Sequence, residues 1–235
     1  MKQFEVTFEG ELPGTPQQVW DAFTRHTSGW LWNIAYEPRV GGAETGLTSA
    51  GGAVTAWDPP RHFATRAERP DGWCNELDYR LDGTHLRYRH MSNAAEDEYD
   101  LQLDACRRHT AFYYHSLGEY LRHFADRDAA YFAVDGPEAS AARGSFDRLR
   151  AALGAGDAGV GDRVRLAGAH PIDGVVDYRT DEFLGVRAEN ALYRFYGRDA
   201  FGWPVGVAHH VFQGDPQEQA WRVWLDEVFD GRRAA

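Results

Sequence analysis

The 235-residue sequence contains few cysteines, almost no lysine and no long hydrophobic run. Cys74 and Cys106 could form at most one disulfide, and no secretory signal precedes them, which predicts a reduced, cytoplasmic protein. No stretch approaches the roughly 18 apolar residues of a membrane span, so no membrane partner is expected. Lys2 is the single lysine, and the basic side of the chain is otherwise arginine.

Motifs of the common metal-binding and cofactor-binding classes are also missing. The H-E-x-x-H pattern is absent and the cysteines lack zinc-site spacing, so no metal and no cofactor are expected. The net charge of −11 disfavours nucleic acid as a partner. Gly154, Gly156 and Gly159 match G-x-G-x-x-G. A predicted helix precedes them and a strand follows, which is the reverse of a dinucleotide site and predicts a linker.

The longest periodic segment is residues 99–124, which predicts one long helix. Apolar or weakly polar side chains recur there every three or four residues and form one face. We expect a curved sheet from the first hundred residues to cover this face and to leave a cavity between sheet and helix. The residues of the predicted face are Leu103, Cys106, Thr110, Tyr113, Leu117, Leu121 and Phe124.

The segments before this helix predict a largely antiparallel sheet. Residues 3–11 alternate between apolar and polar side chains, as in a half-buried strand. Thr15-Pro16-Gln17-Gln18 predicts a helix start with a capping box. Strand-like segments then follow from Ile34 to Met91, and Asp82-Gly83 marks a hairpin turn between two of them.

Four segments carry a resemblance to a known superfamily. They are YEPRVGG at 36–42, GGAVTAWDPPRHF at 51–63, NELDYRLDGTHLRYRH at 75–90 and YHSLGEYLRHF at 114–124. These segments resemble the START-like, or SRPBCC, superfamily, and within it the branch of the activator of heat-shock chaperone ATPase homologues. The resemblance covers about the first 125 residues. It implies the helix-grip fold, a curved antiparallel sheet around a long C-terminal helix. One departure is Tyr113-Tyr114-His115, where many relatives have Gly-Trp.

The remaining part of the chain predicts a second, shorter unit. Residues 128–136 are interpreted as a connector, Pro137 as the start of a helix, and the residues between about 162 and 212 as strands before a last helix. The predicted class is α+β, with a complete helix-grip domain at 1–130 and a partial second helix-grip unit at 131–235. The alternative is that the later strands decorate the first domain.

The expected cavity would have aromatic walls and a few polar groups, which is typical of small-molecule sites. His90 and Tyr88 are the weak acid–base candidates, because they share a strand face with Leu86. The simpler interpretation of His90 is a partly buried histidine that bonds a carbonyl or water. Cys106 is interpreted as a small buried hydrophobic residue. The predicted ligand-binding residues are Trp30, Trp32, Trp73, Tyr79, Tyr88, His90, His109, Tyr113, Ser116, Leu117 and Tyr120.

Three functions fit these features. The first is a cytoplasmic binding protein for a small hydrophobic or aromatic ligand. The second is a cyclase or aromatase-type enzyme that acts on a polyketide-like substrate mainly by positioning it. The third is a chaperone-activator-like protein-interaction module. An unpaired edge strand in the second unit could also mediate a homodimer.

Overall fold

A computed structural model describes residues 1–230, so residues 231–235 of the predicted second unit lie outside the described residues. The described chain forms two antiparallel sheets and four α-helices, which confirms the predicted α+β class. It divides into two compact units, of which the first is Met1–Asp128 and the second begins at Ala129. Among the described residues, no helix is both long and apolar enough to cross a membrane.

The first unit contains seven strands and two helices. Its elements are β1 (Lys2–Glu11), α1 (Pro16–Thr24), a 3₁₀ turn (Thr27–Gly29), β2 (Ala35–Tyr36), β3 (Ala43–Thr45), β4 (Gly52–Asp58), β5 (His62–Glu68), β6 (Cys74–Asp82), β7 (His85–Ala94) and α2 (Tyr99–His123). The strand order is β1-β7-β6-β5-β4-β3-β2. The first strand therefore pairs with the last, and the strands between form a meander.

Local sequence accounts for the start of α1. The Thr15 hydroxyl accepts a hydrogen bond from the Gln18 backbone N–H at 3.2 Å. The Gln18 side chain accepts one from the Thr15 backbone N–H at 3.0 Å. This reciprocal pair is the predicted capping box, and Pro16 occupies the first helical position, where its missing N–H costs nothing.

The long helix α2 packs against β1 and β7. The predicted helix at 99–124 is thus confirmed, but its buried surface is wider than the predicted face. The six consecutive residues from Ser116 to Leu121 are all buried. Tyr114, which lies off the predicted face, is 5% exposed, whereas Tyr113 on that face is only half-buried. The predicted face, which is one row of residues along the helix, is therefore narrower than the surface that the helix buries.

The second unit contains six strands and two helices. Its elements are β8 (Ala130–Asp135), a 3₁₀ turn (Glu138–Ala141), α3 (Ser145–Leu153), β9 (Arg163–Ala167), β10 (Pro171–Arg179), β11 (Phe183–Arg187), β12 (Ala191–Tyr196), a 3₁₀ turn (Arg198–Phe201), β13 (Gly206–Val211) and α4 (Glu218–Asp230). The strand order is β8-β13-β12-β11-β10-β9. Its first strand again pairs with its last, so the unit repeats the topology of the first with one strand fewer.

Two predictions for this part of the chain are wrong. The expected connector at 128–136 contains β8, in which Phe132 and Val134 alternate inward and the strand pairs along its length with β13. The outward positions between and before them hold Ala133 and Tyr131, which are not clearly polar, so the alternation was not evident in the sequence. The helix expected to start at Pro137 is a 3₁₀ turn, and α3 begins only at Ser145. Gly144 separates the two with a left-handed φ of 90°.

Candidate functional site

A cavity of about 150 Å³ lies in the first unit between strands β6 and β7, helix α2 and two loops. Its lining is mostly aromatic and aliphatic, with a few hydroxyl, amide, imidazole and thiol groups. The lining residues are Trp30, Leu31, Trp32, Leu47, Thr48, Asn75, Leu77, Tyr79, Tyr88, His90, Cys106, His109, Thr110, Tyr113 and Tyr114.

The structure brings part of the predicted ligand-binding set together at this cavity. The predicted residues that line it are Trp30, Trp32, Tyr79, Tyr88, His90, His109 and Tyr113. The residues that line it without having been predicted are Leu31, Leu47, Thr48, Asn75, Leu77, Cys106, Thr110 and Tyr114.

Four predicted residues lie elsewhere and are not cavity residues. The Trp73 ring lies under the Arg69 guanidinium, 4.1 Å from its carbon. Ser116 and Leu117 are buried in the packing of α2. The Tyr120 hydroxyl donates to the Arg127 carbonyl at 3.2 Å. The sequence does not show which way these four side chains point.

The sheet wall follows from strand alternation and from register. In the antiparallel pair β6–β7, Leu77 lies opposite His90 and Tyr79 lies opposite Tyr88. Directly opposed side chains share one face of a sheet, so these four side chains form a continuous wall. Asn75 is two residues before Leu77 and therefore faces the same side. Its place could have been predicted from the same period.

Two tryptophans after the 3₁₀ turn form the next wall. The indole N–H of Trp30 donates to the Ala22 carbonyl at 2.9 Å, and that of Trp32 donates to the Gly46 carbonyl at 2.8 Å. Each polar edge is thus satisfied by backbone, which leaves the ring faces for apolar contact. The Trp32 ring also meets Tyr113 edge to face, at 5.8 Å between centroids.

The loop after β3 supplies Leu47 and Thr48. Glu44, which is 3% exposed, holds this loop because its Oε1 accepts from the Leu47 N–H at 3.0 Å. Burial raises the pKa of Glu44. A Cβ on Gly52 would lie 2.5 Å from Glu44 Oε2, so the close approach of β4 requires glycine there.

Three tyrosines, Tyr79, Tyr88 and Tyr114, pack against one another at the cavity. The ring centroids are 4.9 Å apart for Tyr79 and Tyr88, and 4.8 Å apart for Tyr88 and Tyr114. Burial raises the pKa of all three phenols. They are therefore neutral near pH 7 and can bind a ligand oxygen. Tyr88, one of the acid–base candidates, is not a base there.

His90 lies between an amide and a thiol. Its Nε2 is 2.7 Å from Oδ1 of Asn75, and its Nδ1 is 3.2 Å from Sγ of Cys106. Burial lowers the pKa of His90 to about 4, so the ring is neutral near pH 7. Because an amide oxygen only accepts, Nε2 carries the proton and Nδ1 accepts from the thiol. The interpretation of Cys106 as a plain hydrophobic residue is therefore wrong.

His109 completes the polar groups on the helix side. Its Nδ1 donates to the Ala105 carbonyl at 2.8 Å, one turn earlier in α2. The ring is thereby fixed against its own helix. Within residues 1–230, no group of three or more His, Cys, Asp or Glu side chains is placed to hold a metal ion.

Comparisons with known proteins find similarity of structure only. No protein-family model and no curated protein matches the chain. DynU16, from the dynemicin biosynthetic locus, is similar over 96% of this chain and 95% of its own, at 14% identity and a TM-score of 0.41. CalU16 from Micromonospora echinospora is similar over 52% of this chain and 68% of its own, at 19% identity and a TM-score of 0.43. The Aha1 dimer from Colwellia psychrerythraea is similar over 50% of this chain and 96% of its own, at 16% identity and a TM-score of 0.38.

The observation that decides the fold is the topology itself, in which the first and last strands pair and a long helix follows the last strand. The chain has a helix-grip fold. The predicted helix-grip fold is thereby confirmed, with a complete unit followed by a shortened one. Similarity at these identities and TM-scores says nothing about function, because one fold serves many functions.

Proposed function

We propose that the first helix-grip unit binds a small apolar molecule, about one aromatic ring in size, in the cavity between sheet and helix. The observation that carries this proposal is the lining, in which six aromatic side chains surround a few placed hydroxyl, amide and imidazole groups. Such a mixture is typical of small-molecule sites, since the apolar walls supply affinity and the polar groups fix orientation. The proposal involves no cofactor, nucleic acid or membrane.

The volume of the cavity selects among the candidate ligands. A cavity of about 150 Å³ in a protein core can hold a benzene-sized molecule. A polyketide-like substrate with several fused rings is much larger, so the volume favours the binding protein over the cyclase. A phenol fits best, because its ring matches the tryptophan and tyrosine faces. Its hydroxyl can meet the Tyr79–Tyr88–Tyr114 cluster or the amide of Asn75.

Filling the cavity from the loop side is expected to abolish this binding. Thr48 lines the cavity and is half-buried, so a Thr48→Phe ring can occupy the space without overpacking the sheet. Calorimetric titration with phenol is expected to give a Kd of about 1 mM or tighter for the unaltered chain. The variant is expected to bind at least about tenfold more weakly, a loss of about 1.4 kcal/mol.

Thr45→Phe is the matched control for this experiment. Thr45 is exposed on β3 three residues earlier and does not line the cavity. The control variant should bind phenol as the unaltered chain does. Equal weakening by both substitutions, or no phenol binding by the unaltered chain, would remove the cavity from the proposed function.

A further inference from the structure

We propose that Cys106 is a nucleophile, with His90 as its general base and Asn75 as the residue that positions the base. Together they would add the thiol to a small apolar α,β-unsaturated carbonyl compound held in the cavity. This inference rests on the proposed function, because it uses the same cavity and a ligand of the same size. It adds a covalent step to the binding.

The three side chains come from three different elements, and His90 contacts both of the others. Asn75 lies on β6, His90 on β7 and Cys106 on α2, and all three line the cavity. The thiol is 3.2 Å from one ring nitrogen of His90, and the amide oxygen is 2.7 Å from the other. A thiol, an imidazole that can take its proton and an amide that holds the far nitrogen form a nucleophile–base–orienter arrangement.

The surrounding groups set the resting protonation state. Burial raises the pKa of the Cys106 thiol to about 11, against a smaller lowering by the Thr110 hydroxyl and the Arg107 charge. Burial lowers the pKa of His90 to about 4. Tyr88, the other titratable group on this face of β7, is a neutral phenol. The resting pair is thus thiol and neutral imidazole, and the proton must move as the sulfur reacts.

The size and lining of the cavity indicate the kind of electrophile. A volume of about 150 Å³ accommodates one small ring, so the electrophile is a small molecule. Conjugate addition has no leaving group. The apolar walls would hold the ring, and the neutral phenols of Tyr79, Tyr88 and Tyr114 can donate to a carbonyl oxygen on which charge develops.

The step balances without any further reactant. Sγ of Cys106 attacks the β-carbon while its proton passes to Nδ1 of His90. The π pair of the C=C bond moves into an enolate, and the proton on Nδ1 is then delivered to the α-carbon. A C–S bond and a C–H bond form, and an S–H bond and a C=C π bond break. No oxidant or reductant is involved.

The test uses 2-cyclohexen-1-one as the probe and the full-length Cys74→Ser protein, in which Cys106 is the only cysteine. The rate of covalent addition is followed by intact-protein mass spectrometry from about pH 5 to pH 9. The expected rate is nearly flat over this range, because the base is neutral above its pKa of about 4 and the thiol is un-ionised below its pKa of about 11. Cys106→Ser in the same background should give no adduct.

Replacement of the base separates this mechanism from ordinary thiol reactivity. His90→Gln is expected to lower the rate at pH 7 by about 10²–10⁴-fold. The remaining rate should rise about tenfold per pH unit, because only the ionised thiol then reacts. A tenfold rise per pH unit in the Cys74→Ser protein itself would overturn the proposal, and this measurement does not depend on whether the His90 variant folds.

The positioning role of Asn75 has its own signature. Asn75→Ala should lose the flat profile, whereas Asn75→Asp should restore the rate and shift the acid end of the profile to higher pH, because a carboxylate raises the pKa of the adjacent imidazole. An Asn75→Ala profile like that of the Cys74→Ser protein would remove Asn75 from the mechanism.

Phenol binding with a steep pH profile of the addition rate would overturn only the covalent step. A flat profile without phenol binding would overturn only the proposed ligand.

Discussion

Replacing Asp177 by alanine is expected to lower the free energy of unfolding of the second unit by about 3–5 kcal/mol. The side chains of Asp177 and Arg194 are 4% and 0% exposed, and Nη1 of Arg194 donates to Oδ2 of Asp177 at 2.9 Å. Removal of the carboxylate takes this counter-ion away from a fully buried guanidinium charge, and the uncompensated desolvation cost produces the loss. Urea unfolding of the full chain measures it.

A second aspartate on the same strand provides the control. Asp173 also lies on β10 and pairs with Arg165 at 2.8 Å, but its side chain is 69% exposed. Asp173→Ala should cost less than about 1 kcal/mol, because water screens an exposed pair. The double substitution Asp177→Leu with Arg194→Met should recover most of the loss. Equal effects of the two single substitutions would show that burial does not govern this ion pair.

The buried ion pair also illustrates what the sequence does not reveal. The pairing of β10 with β11 shifts register between Val176 and Tyr178, and Asp177 is the residue between them. Such a bulge re-aims a side chain that simple alternation would place on the other face. A Cβ on Gly185 would lie 2.5 Å from Asp177 Oδ1, so the glycine opposite makes room for the carboxylate. Neither feature has a signature in periodicity alone.

The elements that were predicted correctly are those determined by interactions between residues close together in the sequence. The capping box of α1, the Asp82-Gly83 hairpin between β6 and β7, and the long helix α2 each follow from side chains a few residues apart. The sheet wall of the cavity also follows, because Leu77 and Tyr79 on β6 share one face with the opposed residues of β7. Such features depend on residues that are close together in the sequence, so they can be predicted from a single sequence.

The parts of the site that were missed depend on contacts between distant segments. Leu47 and Thr48 reach the cavity because Glu44 holds their loop, and no periodicity marks that loop. The partnership of Cys106 with His90 and Asn75 joins a helix to two strands. The sequence analysis named His90 and Cys106, but it did not predict their contact. A cysteine on an apolar helix face looks the same whether it meets a methyl group or an imidazole.

In each unit, a residue of the helix that follows the last strand contacts a histidine of that strand. The two units differ in which helix residue makes this contact. In the first unit this residue is Cys106, over His90, and a cavity remains beside them. In the second unit it is Trp221 of α4, whose ring centroid lies 4.5 Å from that of His209. Trp221 is 0% exposed, and a Cβ on Gly168 would lie 2.4 Å from its ring. The small Cys106 side chain leaves a cavity beside it, whereas the large Trp221 ring fills the corresponding space.

Lowering the pH from about 7 to about 4 is expected to destabilise both units, because each holds a histidine that folding keeps neutral. His209 is 0% exposed, and its Nδ1 accepts from the Arg194 backbone N–H at 3.2 Å. Burial lowers the pKa of His209 well below 6.5, and the nearby His210, His170 and Arg194 add to the effect. Burial lowers that of His90 to about 4.

The direction of the effect follows from the protons bound in each state. Below pH 6.5 the unfolded chain protonates these histidines and the folded chain does not, so acid favours unfolding. For His90 the loss begins near pH 6.5 and is complete near pH 4, where the folded state also takes up the proton. The difference of about 2.5 between the two pKa values corresponds to about 3 kcal/mol. For His209 the loss continues further into acid.

Amide hydrogen exchange of β7 and β13, corrected for intrinsic rates, measures the two units separately. His90→Gln should flatten the acid loss in β7 alone, and His209→Gln should flatten it in β13 alone. His85 provides the contrast, because its bond to Glu9 raises its pKa and its contribution is therefore lost as pH rises. His85→Gln should leave the acid loss in place. If neither buried histidine altered the slope, carboxylates rather than these imidazoles would govern the acid stability of the fold.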